Sequence, residues 1–458
     1  LGDGIAFLLS PIAASDTAAA KPATLVLDQD AAIDSAAAAQ VAQAGQGTSD
    51  LRLELRSNDA VTLDGTARTA VAGTDLVVAS QSFAAADATG NASDFDLSSL
   101  DLTTRDALDV NFGATAGSVR LAGAADGNGD LTVHSALHAD TIALVAGNGP
   151  GTSGNDSKVV IGAGTALRNT AGTTRPERVD LIQDAAIDSA NLPDVAVFGG
   201  SVAGLAYGLE SRASSVTLSA GTSAKFAGSA LELRGNTGVN LGSEALTLAS
   251  LTAETPAGLV VTQQINATAT DGAIRLHSGT DGSGDLAIGA RLAANTIELV
   301  AGSGNGSDAN AKITLDDNAR FSAAGSDAHP EKFTFQQDAA IGGDGTTTAL
   351  PSVALFGGDI TGMDYALRSM GATVRIDETA AVNGTKLSLL GAKGVDVNGN
   401  LSVAGLDLTG DTTLSGNISS TDDVTIRGKL TLDGVDTAKD QTVAAGGGDL
   451  TALGAIVK

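Results

Sequence analysis

The chain has 458 residues and a formal net charge of −27, because 53 Asp and Glu oppose 26 Lys and Arg. It contains no Cys, which excludes disulfides, Cys-bound zinc and a thiol nucleophile. The shortage of Lys and Arg argues against nucleic acids and anionic membranes as partners, and no apolar run reaches the length of about 18 residues that crosses a bilayer. A hydrophobic fraction of 43% and a mean hydropathy of +0.14 nevertheless indicate an ordered chain.

The start of the chain matches a later part of the same sequence. Residues 5–34 align with residues 159–188, and the first residue is Leu rather than Met. The chain therefore begins in the middle of a repeat. We expect it to be a portion of a longer protein, whose signal, transporter-recognition domain or membrane anchor lies outside it.

A long internal repeat is the strongest signal in the sequence. The string Gln-Asp-Ala-Ala-Ile occurs three times, and its Asp recurs at equal intervals, since 184 − 30 and 338 − 184 are both 154. A Pro precedes each copy at the same interval, at positions 22, 176 and 330. We predict one continuous solenoid with a partial repeat at 1–20, repeats at 21–174 and 175–328, and a partial third repeat at 329–458.

Short strings within each repeat alternate between aliphatic and polar residues. Examples occur at 51–56, 131–133, 231–234 and 430–432, and Asn-Gly, Asp-Gly, Gly-Asn and Gly-Gly turn signals separate such strings. The period of two predicts strands with one buried face, whereas no window has a convincing helical period. Sandwiches and barrels are too short for this chain and usually richer in aromatic residues, and a propeller needs a shorter blade repeat.

A parallel β-solenoid fits these features best. Its core is a column of stacked aliphatic side chains, which explains how the chain folds with only 3% aromatic residues. At roughly 20–25 residues per turn, each repeat would hold about seven turns and the chain about twenty. At a strand spacing of about 4.8 Å this predicts an elongated rod about 100 Å long. The fold prediction is all-β, a right-handed parallel β-solenoid (β-helix), since parallel crossovers are right-handed.

Four strings add a family resemblance. They are Gly-Asp-Leu-Thr-Val at 129–133, Thr-Ile-x-Leu-Val-Ala-Gly-x-Gly at 141–149 and 296–304, the Gln-Asp-Ala-Ala-Ile string, and Thr-Leu-Ser-Gly-Asn at 413–417. Together they make the whole chain resemble the filamentous-haemagglutinin-like and autotransporter-adhesin passengers, which are secreted right-handed β-helix repeat proteins of Gram-negative bacteria. The resemblance implies an extracellular stalk, adhesin or surface filament.

Two acidic loops have the ligand spacing of the start of a calcium loop. The candidate ligands are Asp126, Asn128, Asp130, Asp281 and Asp285. An EF-hand requires a carboxylate at the twelfth position, which is Leu in both loops. We therefore interpret both loops as polar β-turns between coils and keep weak, adventitious calcium binding as the alternative. No other cofactor is expected.

The remaining polar and aromatic candidates have simple structural explanations. We interpret His134, His138, His277 and His329 as exposed turn residues, because no further His or Cys completes a metal site. The recurring pairs Phe198/Tyr207 and Phe356/Tyr365 are interpreted as core packing, with a groove for sugar rings as the alternative. The three Asp residues of the repeated string are interpreted as turn residues that accept backbone N–H bonds.

These observations favour a structural or adhesive protein at the cell surface over an enzyme. The alternative is a β-helical polysaccharide lyase or hydrolase, for which clustered carboxylates or a Lys or Arg base would be needed. Ice binding would require a regular Thr-x-Thr array, which does not recur here. The candidate partners are further copies of the chain, end to end or side by side, and a glycan or surface ligand. Nucleic acid and membrane insertion are not expected.

The acidic balance predicts how copies of the chain interact. Chains of like charge repel one another at low salt, and this repulsion is screened as the Debye length falls from about 10 Å at 0.1 M to about 3 Å at 1 M salt. If the chain forms bundles, we expect salt and divalent cations to promote them. Light scattering during a calcium titration tests this expectation, and a signal that stays flat would count against it.

Overall fold

The computed structural model describes most of the chain, and the described part is an all-β fold with little helix. The described residues are 24–45, 51–85, 94–127, 129–149, 156–282, 284–303, 310–342, 350–377, 382–433 and 441–457, together with the backbone of 6–7. The chain divides into two units, residues 1–215 and 216–458. Each unit is a parallel β-solenoid, in which every coil contributes one long strand and up to two short ones. Within the described ranges, no helix is both long and apolar enough to cross a membrane.

In the first unit, the long strands form a parallel sheet that we call the first principal sheet. In stacking order its strands are Thr24–Gln29, Arg52–Ser57, Asp75–Ser80, Ser99–Thr104, Ser118–Gly123, Thr141–Ala146, Arg178–Gln183 and Ala206–Ser211. The short strand Ala6–Phe7 pairs antiparallel with the first of them.

Short parallel sheets complete the coils of this unit. One contains Phe95–Asp96, Ala114–Thr115, Ala136–His138 and Ala166–Arg168. Another contains Leu108–Val110, Leu131–Val133 and Val159–Ile161. Ala60–Leu63 pairs with Ser82–Ala85, and the remaining strands are Ile187–Asp188 and Ser215–Thr217, which spans the sequence boundary of the units.

Two α-helices replace strands in the first coils, which the sequence analysis did not predict. They are Ser35–Ala44 and Gly65–Val71, and Asp34 and Asp64 cap them by accepting N–H bonds from the first turn. The Ala-rich sequence of Ser35–Ala44 lacks the contrast between apolar and polar faces that reveals a helix. Gly65–Val71, with seven residues, is too short for a helical period to be recognised. Short 3₁₀ helices span Ser189–Asn191 and Val195–Phe198.

The second unit repeats the same plan. Its second principal sheet contains Ala230–Gly235, Ser250–Thr255, Ala273–Ser278, Thr296–Ala301, Lys332–Gln337, Asp364–Ser369, Lys386–Gly391, Gly405–Thr409, Val424–Arg427 and Leu450–Ala452. All these pairings are parallel and in register. Two 3₁₀ helices span Ser223–Lys225 and Val353–Phe356.

Four short parallel sheets complete the coils of the second unit. The first two contain Leu246–Leu248, Ile265–Ala267, Arg291–Ala293 and Arg320–Ser322, and Leu259–Val261, Leu286–Ile288 and Ile313–Leu315. The other two contain Val374–Ile376, Val395–Val397, Thr412–Leu414, Leu430–Leu432 and Ile456–Val457, and Leu401–Val403, Ile418–Ser420 and Val443–Ala445. Gly238–Asn240 is a further strand.

The register shows that the coils differ in length. Ser118 pairs with Thr141, whereas Thr141 pairs with Arg178, so the second of these two coils is much longer than the first. Because of such long coils, the stretch of chain from Thr24 to Arg178 holds six coils rather than the seven expected. The right-handed winding, the rod-like shape and the repeat boundaries stay predictions.

Aliphatic ladders form the core, as the sequence predicted. Along one ladder of the second unit, Leu276 stacks between Ala253 and Leu299 on the neighbouring strands, and all three are fully buried. Alternate residues of the same strands face outward, so each strand has one apolar and one largely polar side. Burying each Leu, Ile or Val contributes about 1.5–3 kcal/mol, which makes these ladders the main source of stability.

Truncating a ladder residue should destabilise the second unit strongly. We expect Leu276→Ala to lower the free energy of unfolding by about 2–5 kcal/mol, because it leaves a cavity between two stacked neighbours. The control is Val260→Ala, whose side chain is 61% exposed; there we expect a change below about 1 kcal/mol. Urea unfolding followed by circular dichroism measures both, and equal losses would contradict a core built from ladders.

Candidate functional site

The Gln of the repeated string fastens consecutive coils to each other. Gln183 ends a principal strand, and its Nε2 donates to the carbonyl oxygens of Ala185 at 3.2 Å and Ala186 at 2.9 Å. Its Oε1 accepts the backbone N–H of Val159, in the preceding coil, at 3.0 Å. Gln337 makes the equivalent bonds in the third repeat. One side chain thus satisfies three backbone groups and fixes the turn that follows the strand.

The Asp of the same string is a turn residue in the second and third repeats, as predicted. Asp184 is fully buried and accepts the backbone N–H groups of Asn148 and Gly149, each at 3.0 Å. Asp338 is also fully buried and accepts the N–H of Ser303 at 3.1 Å. These buried carboxylates are bound to the backbone of a neighbouring coil and do not face solvent, where a substrate could reach them.

Gly147 shows why the turn before Asp184 needs glycine. Its φ is +90°, a conformation that other residues rarely adopt, and a Cβ at this position would collide with Oδ2 of Asp184. Gly302 has a φ of +101° and the same relation to Asp338. The glycine and the carboxylate therefore form one structural unit, although they belong to different coils and lie far apart in the sequence.

The first copy of the string differs from the other two. Asp30 is exposed, and its Oδ1 accepts a bond from Nδ2 of Asn58 at 2.6 Å. Gln29 still donates to the carbonyl oxygens of Ala31 and Ala32. The two bonds that the Gln donates are therefore common to all three copies, whereas the burial of the Asp differs between them.

The position before the repeated Pro holds a cationic or polar side chain in the second and third repeats. Arg175 donates to the carbonyl oxygens of Pro176 and Ala203. His329 occupies the equivalent place, with Nδ1 2.8 Å from the oxygen of Pro330 and Nε2 3.1 Å from that of Thr361. The two side chains connect the same two turns of successive repeats.

The prediction that all four His lie in exposed turns is wrong for His138, His277 and His329, all of which are half-buried. His134 is exposed and follows a strand, with Nε2 3.7 Å from Oδ1 of Asp109. His138 and His277 are half-buried strand residues, and Nε2 of His277 lies 3.0 Å from the oxygen of Gly302. Outward strand positions accept His as readily as turns do, which a turn-based interpretation did not consider.

The recurring aromatic pairs are core residues, as predicted. Phe198 and Tyr207 are each 1% exposed, with ring centroids 5.5 Å apart. Phe356 and Tyr365 are equally buried, with centroids 5.9 Å apart. Burial raises the pKa of both Tyr hydroxyls far above the usual range. These rings are therefore inaccessible to a sugar.

The two acidic loops use their last Asp in the same way. Oδ1 of Asp130 accepts the backbone N–H of Lys158, and Oδ1 of Asp285 accepts that of Lys312, both at 3.0 Å. Asp126 and Asp281 are exposed turn residues, whereas Asn128 lies outside the described residues. The part of the chain that the structure describes contains no group of three or more His, Asp or Glu side chains that could hold a metal ion. Weak, adventitious calcium binding at these loops stays the untested alternative.

A groove on the outer face of the second principal sheet was missed by the sequence analysis. It has a volume of about 460 Å³, and we call it the charged groove. Its lining includes three cations from three consecutive strands, Lys332, Arg368 and Lys386, and four carboxylates, Asp364, Asp407, Asp422 and Asp423. Its floor carries the small side chains of Thr334, Ala366 and Ser388. Among the described residues, none of the three cations lies within 4.0 Å of a carboxylate oxygen. The sequence analysis overlooked that equivalent outward positions of the second and third repeats carry different charges.

Comparisons with known proteins give no relative for this chain. No family model matches it, and neither the curated proteins nor the solved structures contain a match.

Removing the charge of Asp184 should destabilise the fold, whereas the same change at Asp30 should not. An Asn at position 184 keeps the size of the side chain but presents an amide to one of two N–H donors, so we expect Asp184→Asn to lower the free energy of unfolding by about 1–3 kcal/mol. For the exposed equivalent, Asp30→Asn, we expect less than about 0.5 kcal/mol. Urea unfolding of both variants provides the measurement. If both lose the same stability, the buried turn bonds do not explain the repeated string.

Proposed function

We propose that this chain is a structural or adhesive segment of an extracellular bacterial surface protein, a stalk or fibre built from stacked coils. The observation that carries the proposal is the use of the repeated polar string. In two repeats the side chains of its Gln and Asp accept hydrogen bonds from backbone N–H groups of neighbouring coils. These residues are Gln183, Asp184, Gln337 and Asp338. The most strongly repeated polar residues of the chain therefore hold the solenoid together, as a mechanical role requires.

The location and the secretion of the protein rest on the family resemblance. The parallel solenoid is compatible with a filamentous-haemagglutinin-like or autotransporter-adhesin passenger, and the absence of Cys suits a chain that is exported unfolded and folds outside the cell. The outward positions of a solenoid are free of core packing, so they can carry contacts to a surface or to further copies of the chain. The partner that we propose first is another copy of the chain, bound end to end or side by side.

Electron microscopy provides a direct test of the mechanical role. In negative stain, the purified chain should appear as rods about 85 Å long, because the described residues form eighteen principal strands, one for each coil, at a spacing of about 4.8 Å. Beads coated with the purified chain should adhere to cells or to each other more than beads coated with an unrelated protein of equal charge. Compact globules would overturn the proposal.

A substrate screen separates the structural role from the enzymatic alternative. Incubation with polyuronates and neutral glycans should release no product above that of heat-unfolded protein. Product formation that depends on the folded chain would favour a β-helical lyase or hydrolase instead.

A further inference from the structure

The last described coil of the second unit exposes apolar side chains at positions that the coil before it buries. Leu450 is 53% exposed and Ile456 is 62% exposed, whereas their partners on the neighbouring strands, Val424 and Leu430, are 0% and 4% exposed. The ladders of the core therefore continue into a coil whose far side is covered by none of the described residues. We call the far side of residues 441–457 the end face.

The end face also offers three strand edges for pairing. Its strands are Val443–Ala445, Leu450–Ala452 and Ile456–Val457, and each pairs with the preceding coil along one edge. Among the described residues, no strand pairs with the opposite edge of these three. An edge of this kind presents unpaired N–H and C=O groups, which form hydrogen bonds readily with a strand of another chain.

The charge of the end face indicates which kind of partner fits it. Residues 441–457 contain a single charged side chain, Asp449, whereas residues 418–433 of the preceding coil contain five. An acidic or basic partner would find almost no counter-charge here. A second copy with the same apolar face fits, because this contact brings few like charges together although each chain has a net charge of −27.

The first principal strand is a poorer match for the end face. Thr24–Gln29 already pairs antiparallel with Ala6–Phe7 through Leu27 and Asp28. This pairing occupies part of the edge that a head-to-tail contact between two copies would need. Two identical end faces have no such obstacle.

We propose that two copies of the chain associate through their end faces, related by a two-fold axis. The two-fold axis reverses the direction of the strands, so every pairing across the contact is antiparallel. A register centred on Thr451 pairs all three residues of Leu450–Ala452 with the same strand of the second copy. Val443–Ala445 then lies opposite the partner subunit's Ile456–Val457.

This register brings large apolar side chains against small ones. Leu450 faces the partner subunit's Ala452, and the two-fold axis repeats this contact on the other side of Thr451. Ile456 meets the strand with the smaller inward residues Val443 and Ala445. Alternation of large and small residues lets two apolar layers interlock without voids.

The size of the end face indicates a reversible dimer. It contains 17 residues per copy, from 441 to 457, fewer than the roughly 20–30 residues per partner of a standard stable interface. We therefore expect association in the micromolar range. Because the two faces cover each other, association stops at the dimer.

This contact rests on the proposed function only in naming the face through which copies associate end to end. The two proposals fail separately. A monomeric chain that forms rods and adheres to cells would refute the contact and leave the structural role standing. A dimer of compact globules would do the reverse.

The first test is sedimentation velocity of the full chain at increasing concentration in 0.15 M salt. We expect conversion of monomer to dimer, with no larger species. Leu450→Asp combined with Ile456→Asp should weaken the dimer at least tenfold, because the two-fold axis places four carboxylates in an apolar contact. The control is Val260→Asp, at a position that is 61% exposed and lies outside the end face; there we expect less than a twofold change.

The second test locates the two-fold axis with a disulfide, since the chain has no Cys of its own. Directly opposed residues of antiparallel strands have Cα atoms about 4.5–5.5 Å apart, which a disulfide can bridge. Thr451→Cys should therefore form a covalent dimer under mild oxidation. The control, Thr425→Cys, occupies the same register position one coil earlier. Three strand spacings of about 4.8 Å separate it from its counterpart, so we expect little covalent dimer.

Circular dichroism of each variant checks that the fold is kept. The proposal is overturned if the chain stays monomeric at all concentrations, which would leave the end face to some other partner. It is also overturned if oligomers larger than the dimer grow with concentration, if the double Asp variant associates as tightly as the original chain, or if Thr425→Cys cross-links as readily as Thr451→Cys.

Discussion

Register between neighbouring coils is the constraint on which the rest of this structure depends. A ladder is continuous only if the inward residue of each strand lies above the inward residue of the strand before it, as Leu276 does above Ala253. A slip by one residue would turn the aliphatic side chains outward and the charged ones inward. Since each coil contacts only its neighbours, the same condition must be met again at every step.

The repeated string meets this condition with side chains rather than with strand pairing alone. Gln183 binds the backbone of the preceding coil where its own strand ends, and the buried Asp184 binds the turn of that coil. Both interactions are possible in one register only, because the donors and acceptors are fixed on the backbone. Loops between these points can then vary in length, which explains how the long coil from Thr141 to Arg178 follows the shorter one that begins at Ser118.

These relations also determine what the sequence could predict. The strands and the ladders were predictable, because alternation and turn signals are local features of the chain. The helix Ser35–Ala44 was not, since its Ala residues give no contrast between faces. The charged groove was not predictable either, because Lys332, Asp364 and Lys386 become neighbours only once the lengths of the two coils between them are known. A buried Asp and an exposed Asp in the same string, Asp184 and Asp30, show the limit of a motif without its neighbours.

The equal spacing of the principal strands that begin at Thr24, Arg178 and Lys332 has a consequence for how such a chain changes during evolution. Recombination between two copies of the underlying DNA would remove or add one complete repeat, and with it a whole number of coils. The new junction would join coils whose strands already pair with each other, and every Gln and Pro would keep its position within the repeat. Length can therefore vary in steps of six coils among descendants, while each repeat accumulates its own outward charges.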